Sequence, residues 1–192
     1  GGVLRFPDLF AMYKKQISMF WTVEEVDLSK DAKQYEHAPE NVKTLVNHIL
    51  SFFSIADAIV MENISENFLD CVQAPEAKSF YAAQIFSESV HAEMYNRTIL
   101  ALIQEPEKQK RLLQNVPHFK SVKKKKQFAE KWMNSERPFE EKLIAFAMVE
   151  GLLFSASFAS IYWLKTLNLF PGLVQSNELI SRDENLHCDF AI

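Results

Sequence analysis

Glycine and proline are scarce in this chain, 4 and 7 of 192 residues, which disfavours a turn-rich β fold because such a fold uses both at its many reversals. Cysteine is scarcer still. Cys71 and Cys188 lie far apart, giving neither the close spacing of a zinc ribbon nor a disulfide framework, and they fit a reducing compartment such as the cytoplasm. Excess positive charge is also absent. The 21 Lys and Arg stand against 25 Asp and Glu, a net charge of −4 with the acids spread along the chain, so no electrostatic footprint for nucleic acid is present. The one basic run, Lys123 to Lys126, reads as a solvated helix face. No basic-then-apolar leader opens the chain, and its abrupt start at Gly1 and stop at Ile192 lead us to expect a fragment of something longer.

Apolar residues are what the chain has in quantity: 48% of it, with 16 Phe. At this length one domain can bury a real core, so residues 1–192 are expected to form a single all-α domain of long helices. Pro7 to Trp21 has helical apolar spacing, and Thr22 to Pro39 reads as an irregular connection. From Pro39 to Cys71 the stripe Val42, Leu45, Val46, Ile49, Phe53 leads to Asp57. A helix opened by Pro75-Glu76 runs through Phe80, Gln84, Glu88, His91 and Tyr95 to Ile103. Pro106 and Pro117 bracket a short connecting helix, and Lys120 to Trp132 forms another. Ser135 and Pro138 precede a long helix to Asn168, and Pro171-Gly172 precedes the last, Leu173 to Ile192.

The stretch Leu143 to Leu164 is long and apolar enough to resemble a membrane span. Glu150 in its middle, Ser155, Ser157 and Ser160, and the lack of a hydrophobic partner span favour a buried bundle helix in a soluble protein instead.

Glu88 with His91, and Glu184 with His187, are each three residues apart, so each pair shares one helical face. Asp57 and Glu150 supply one acid from each of the two other long helices. That set is similar to the ligands of ferritin-like dinuclear carboxylate bundles. A buried carboxylate is costly without a partner, and a metal ion would stabilise it directly. Taken alone, Asp57 reads equally as a hydrogen-bonded core acid, and either Glu-x-x-His motif alone is weak; it is the joint pattern that points to metal. Carboxylate and imidazole without thiolate suit iron or manganese better than structural zinc. Tyr95 lies one turn beyond His91, placed either near the metals or as an ordinary core tyrosine. Phe154 and Phe158 read as core residues, and Trp21 as an aromatic packed at a helix end.

At these residues the chain resembles the small, radical-generating subunit of class I ribonucleotide reductase, eukaryotic type. The resemblance is carried by Phe20-Trp-Thr-Val-Glu-Glu-Val-Asp-Leu-Ser-Lys-Asp31, Glu76-Ala-Lys-Ser-Phe-Tyr81, His91-Ala-Glu-Met-Tyr95, Val149-Glu-Gly151 and Ser176 to Ala191. It implies two iron ions in an oxo-bridged di-iron centre, with manganese the lesser choice. Asp57, Glu88 and His91 would hold one, Glu150, Glu184 and His187 the other, with Glu88 and Glu184 bridging. It further implies a radical on Tyr95, a relay through Trp21, Asp183 and His91, and an apolar radical pocket at Phe154 and Phe158. The implied partners are a large catalytic subunit, where ribonucleotides are reduced, and a second copy of the chain in a homodimer. Asn185, Ala58 and Met61 depart from the family's usual Gly, Gly and Asn. Two other chemistries share such ligands: a di-iron oxygenase or desaturase, which needs an open substrate cavity, and an iron-storage or scaffold bundle.

Overall fold

Proline sets where the helices begin. In the computed structural model, which describes residues 4–114, 120–133 and 136–192, every described proline lies at a helix start. Pro7, Pro75 and Pro171 occupy the first turns of α1 (Pro7–Ser18), α4 (Pro75–Leu102) and α9 (Pro171–Ala191), where the missing N–H is no loss. Pro106 opens α5 (Pro106–Gln114). Pro39 and Pro138 stand just before α3 (Glu40–Asn63) and α7 (Phe139–Met148) in extended backbone. The remaining helices are α2 (Ser29–His37), α6 (Lys120–Met133) and α8 (Ser155–Thr166). Pro117, Ser135 and the side chain of Ala58 lie outside the described residues.

The result is the all-α, ferritin-like bundle that the sequence leads one to expect, and no strand occurs among the described residues. Helix α4 packs against α1, α2, α3 and α9, while α9 packs in turn on α7 and α8. Helix α6 bridges α3 and α7. Phe53, Phe68, Phe80, Phe146, Phe154 and Phe170 are fully buried between these layers; truncating any one to alanine costs about 3–5 kcal/mol.

Three expectations need correction. Thr22–Pro39 is not an irregular connection: it contains a 3₁₀ turn at Val23–Glu25 and then helix α2. Helix α2 is too polar to announce itself by periodicity, and a tertiary contact anchors it. Buried Asp31 accepts the N–H groups of Gly172 (3.1 Å) and Leu173 (3.2 Å) at the start of α9, where unpaired donors and the helix dipole favour an anion. The long helix expected up to Asn168 is present over Phe139–Thr166 but is not regular, since a π-turn, Val149–Leu153, joins α7 to α8; a second π-turn, Ile64–Phe68, continues α3. Finally, Leu143–Leu164 does have an apolar counterpart. Both Glu40–Phe68 and Phe139–Thr166 are long and apolar enough, by length and composition, to cross a membrane. Each also carries a fully buried acid, Asp57 or Glu150, and packs within the bundle as a core helix does.

Gly172 allows the Asp31 contact to form. A Cβ there would lie 2.3 Å from Asp31 Oδ1 and 2.4 Å from the Asp27 carbonyl. Gly172→Ala in the full-length protein is therefore expected to cost at least about 2 kcal/mol in urea unfolding. Asp31→Ala, which strands two buried N–H groups, should cost about the same. A midpoint unchanged in both variants would show that this clamp does not secure α2 to α9.

Candidate metal centre

Helical periodicity brings the acids inward. On α3 the buried stripe Val46, Ile49, Phe53, Asp57, Val60 runs without a break, so the carboxylate at position 57 shares the face that the apolar side chains bury. Helix α4 buries Phe80, Gln84, Glu88, His91 and Tyr95 in the same way, and α9 buries Leu173, Asn177, Ile180, Glu184 and His187. Glu150 sits in the π-turn, a device that recurs at functional sites because its extra residue re-aims a side chain.

The structure brings all six predicted ligands together. Asp57, Glu88 and His91 form one group; Glu88, Glu150, Glu184 and His187 form another, the ligating atoms in each lying within 4.8 Å of one another. His91 Nδ1 is 3.2 Å from Glu88 Oε2 and 3.2 Å from Glu184 Oε1. His187 Nδ1 is 3.0 Å from Glu88 Oε1 and 3.4 Å from Glu184 Oε2. Glu88 and Glu184 thus each set one oxygen against each imidazole. Both oxygens of Asp57 and Oε2 of Glu150 have no hydrogen-bond partner although they are buried, a costly state that a bound cation relieves.

The outer nitrogens of the two imidazoles are fixed by different groups. His91 Nε2 bonds to Asp183 Oδ2 at 3.0 Å. His187 Nε2 bonds at 2.9 Å to the Gln16 carboxamide, oriented so that its oxygen accepts from the ring and its nitrogen donates to the Phe80 carbonyl. Both rings therefore turn Nδ1 toward the carboxylates, the orientation a metal ligand needs. Gln84 Nε2 donates to Glu150 Oε1 at 3.0 Å.

Burial dominates the electrostatics. It pushes the carboxyls of Asp57 and Glu150 well above their usual range, and the neighbouring Glu88 and Glu184 charges add to the effect. Burial acts the same way on Glu88, but hydrogen bonds and charge from His187 and His91 outweigh it and bring that carboxyl down to about 2. Burial works against the charged form of His187, yet bonds to Glu184 and Glu88 raise it to about 9; His91 is raised in the same manner by Asp183, Glu184 and Glu88.

Trp21, Asp183 and His91, the residues expected to form a relay, also meet. Trp21 Nε1 donates to Asp183 Oδ2 at 2.8 Å, and the indole stacks over His91 with centroids 6.1 Å apart. Tyr95 is buried with its hydroxyl unpartnered. Its ring lies parallel to Phe53 at 4.8 Å, and Phe53 in turn contacts Phe154 (5.6 Å) and Phe158 (5.1 Å). Sequence reasoning missed Gln16 altogether, and it placed Phe53 and Gln84 on their helices without assigning either a role. Of the departures, Asn185 is exposed on the outside of α9 and Met61 is half-buried.

A family model described as ribonucleotide reductase, small chain, matches residues 3–192. The ribonucleoside-diphosphate reductase small chain of Swinepox virus is 46% identical over 188 residues, which are 98% of this sequence and 69% of the viral one. A small chain of the same enzyme from Arabidopsis thaliana is also 46% identical over 188 residues, 98% of this sequence and 55% of its own. The chain therefore spans only part of its curated relatives. Among solved structures, the ribonucleotide reductase Rnr4 homodimer from Saccharomyces cerevisiae superposes with a TM-score of 0.89 at 32% identity, covering 99% of this sequence and 60% of that one. An R2-like ligand-binding oxidase with a Mn/Fe cofactor, at 22% identity and TM-score 0.80, shares the fold.

The raised groups set a pH dependence. A histidine held at about 9 in the fold against 6.5 ordinarily adds stability that is fully present below pH 6.5 and is lost as pH rises through 9. The raised acids Asp57 and Glu150 act in the same direction, since the fold favours their protonated forms. The metal-free protein should accordingly lose thermal stability between pH 6.5 and 9. A flat Tm across that window would contradict this account of the cluster.

Proposed function

Since the chain belongs to the ribonucleotide reductase small-chain family, we propose that it is the metal-bearing, radical-generating subunit of a ribonucleoside-diphosphate reductase. The supporting observation is the cluster itself: six metal-ligating side chains with at most 2% exposure, beside a buried tyrosine whose hydroxyl has no partner. In this reading Asp57, Glu88 and His91 hold one ion and Glu150, Glu184 and His187 the other, with Glu88 and Glu184 between them. The oxygen and nitrogen donor set accepts iron and manganese alike. Iron is our choice, on the resemblance. We also infer that residues 1–192 act as one ferritin-like domain in the cytoplasm, where the two free thiols stay reduced.

When bound, the metal pair supplies the dioxygen-dependent one-electron oxidation of Tyr95. The surrounding residues govern the fate of the proton and of the oxidised ring. Burial, together with the charges of Asp57, Glu184 and Glu88, holds the Tyr95 proton on its oxygen far above the usual phenol range, so losing the electron also releases that proton. Phe53 covers one face of the ring, and Phe154 and Phe158 back Phe53, which keeps water and reductants away from the oxidised phenol. The path from Trp21 through Asp183 to His91 carries the oxidising equivalent between the cluster and the surface, where a large subunit receives it and reduces the ribonucleotide. An oxygenase with an open substrate cavity is less well supported. Among the described residues, surface cavities of about 680, 520 and 280 Å³ are lined by none of the six ligands.

We further propose a homodimer. Ile144, Met148 and Leu152 are 63, 41 and 58% exposed at helical spacing, an apolar stripe that a second copy would cover.

In the full-length protein, Tyr95→Phe should still bind two ions per protomer and still react with dioxygen, since no ligand is lost. The persistent tyrosyl signal in electron paramagnetic resonance and deoxyribonucleotide formation should both vanish. A variant that kept signal and turnover would move the radical to another residue. Glu150→Ala should lower metal content from about two ions toward one, and unchanged content would remove Glu150 from the ligand set. Trp21→Phe should leave metal content intact while impairing transfer to the large subunit; normal turnover would break the relay assignment.

A further inference from the structure

The lysine run on α6 is not uniform. Lys123, Lys124 and Lys126 are exposed, as a solvated helix face requires, but Lys125 is half-buried. Its ammonium lies 4.0 Å above the Phe52 ring and donates to the Leu153 carbonyl at 2.5 Å. No carboxylate pairs with it among the described residues. Burial lowers its pKa, so this environment disfavours the cation, and the two contacts that offset that cost are the ring face and the carbonyl.

The carbonyl it reaches belongs to the last residue of the π-turn that carries Glu150. In an uninterrupted α-helix the Ser157 N–H would bond to Leu153. Here it bonds to the Phe154 carbonyl at 3.0 Å, and Lys125 serves Leu153 instead. The neighbouring carbonyl, Leu152, accepts the Ser155 hydroxyl at 2.6 Å. Two side chains thus bond the acceptors at the end of the turn, which is how an irregular helical turn persists inside a packed bundle. Reversion to α-geometry would rotate Glu150 relative to α8 by about 100°, one residue's step. It would also displace Phe154, whose ring touches Phe52 and Phe53.

We propose that Lys125 is a positioning residue of the metal centre: by donating to the Leu153 carbonyl it holds the π-turn open and keeps Glu150 aimed at the cluster. The inference rests on the two-metal reading above and adds a residue from a connecting helix that contributes no ligand. Through Phe52 the same ammonium ties α6 to α3, so the latch joins the helix bearing Asp57 to the turn bearing Glu150.

The test uses full-length protein carrying Lys125→Met, which keeps length and apolar bulk but cannot donate, with Lys125→Arg as the conservative rescue and exposed Lys124→Met as control. Co(II) is titrated into each metal-free protein, with visible absorption and equilibrium dialysis as readouts. The expected result is at least a tenfold loss of affinity for the ion that Glu150 helps bind, on the scale of outer-shell ligand supports, with the other ion unaffected. Arginine should recover most of the loss, and Lys124→Met should match the parent. Hydrogen exchange on the metal-free proteins should show faster exchange for amides 149–158 in Lys125→Met, with the rest of the bundle unchanged. Parental affinity at both ions, equal loss at both, or unchanged exchange across 149–158 each overturns the proposal. Global unfolding of both Lys125→Met and Lys125→Gln would make Lys125 a packing residue and overturn it as well. A parent that binds fewer than two ions while Lys125→Met still loosens 149–158 would sink the metal reading and, with it, the positioning role, leaving only the latch on the turn.

Discussion

Four carboxylates converge in a core made mostly of apolar side chains, and most of what is unusual in this bundle compensates for that burial. Uncompensated, each charge would cost several kcal/mol. Two imidazoles face the acids, Gln84 donates to Glu150, and outer acceptors hold the imidazoles in place. Both oxygens of Asp57 and Oε2 of Glu150 still accept no hydrogen bond. The aromatic packing supplies rigidity, since a cluster of like charges disperses unless the surrounding side chains cannot move.

The cluster has two unlike halves. His91 is backed by a carboxylate, Asp183, itself bonded to Trp21; His187 is backed by the neutral carboxamide of Gln16. A carboxylate behind an imidazole makes the ring a stronger electron donor than an amide does. The half that includes His91 is therefore the more electron-rich, and Asp183 and Trp21 lead from it toward the surface. The small apolar cavity beside Trp21, walled by Phe20, Phe86 and Val90, lies at the outer end of that connection.

The inward-facing acids and histidines were legible because a helix repeats every 3.6 residues: once Val46, Ile49 and Phe53 define a stripe, Asp57 must lie on it, and the same logic orients Glu88, His91, Glu184 and His187. What was not legible depends on how helices cross. Every buried phenylalanine on α3 looks alike in sequence, and only the packing of α3 on α4 selects Phe53 to lie flat against Tyr95. Gln16 belongs to an amphipathic helix with no motif, yet tertiary contact places it against His187. The π-turn at Glu150 went unseen because one added residue leaves the alternation of apolar positions nearly intact. Lys125 was hidden among three solvated neighbours, and α2 among polar residues that only the Asp31 clamp holds in a helix.

The bonds that close the structure span most of the chain: 171 residues separate Gln16 from His187, 162 separate Trp21 from Asp183, and 141 separate Asp31 from Gly172. Helix α9 supplies the far end of each. On a ribosome the first three long helices emerge carrying Asp57, Glu88 and Glu150 with neither Glu184 nor His187 yet made, so a nascent polypeptide holds acids it cannot yet compensate and apolar faces it cannot yet cover. Assembly of this centre therefore waits for α9, and a bundle that still lacks this helix is the species most in need of protection from aggregation and from adventitious metal.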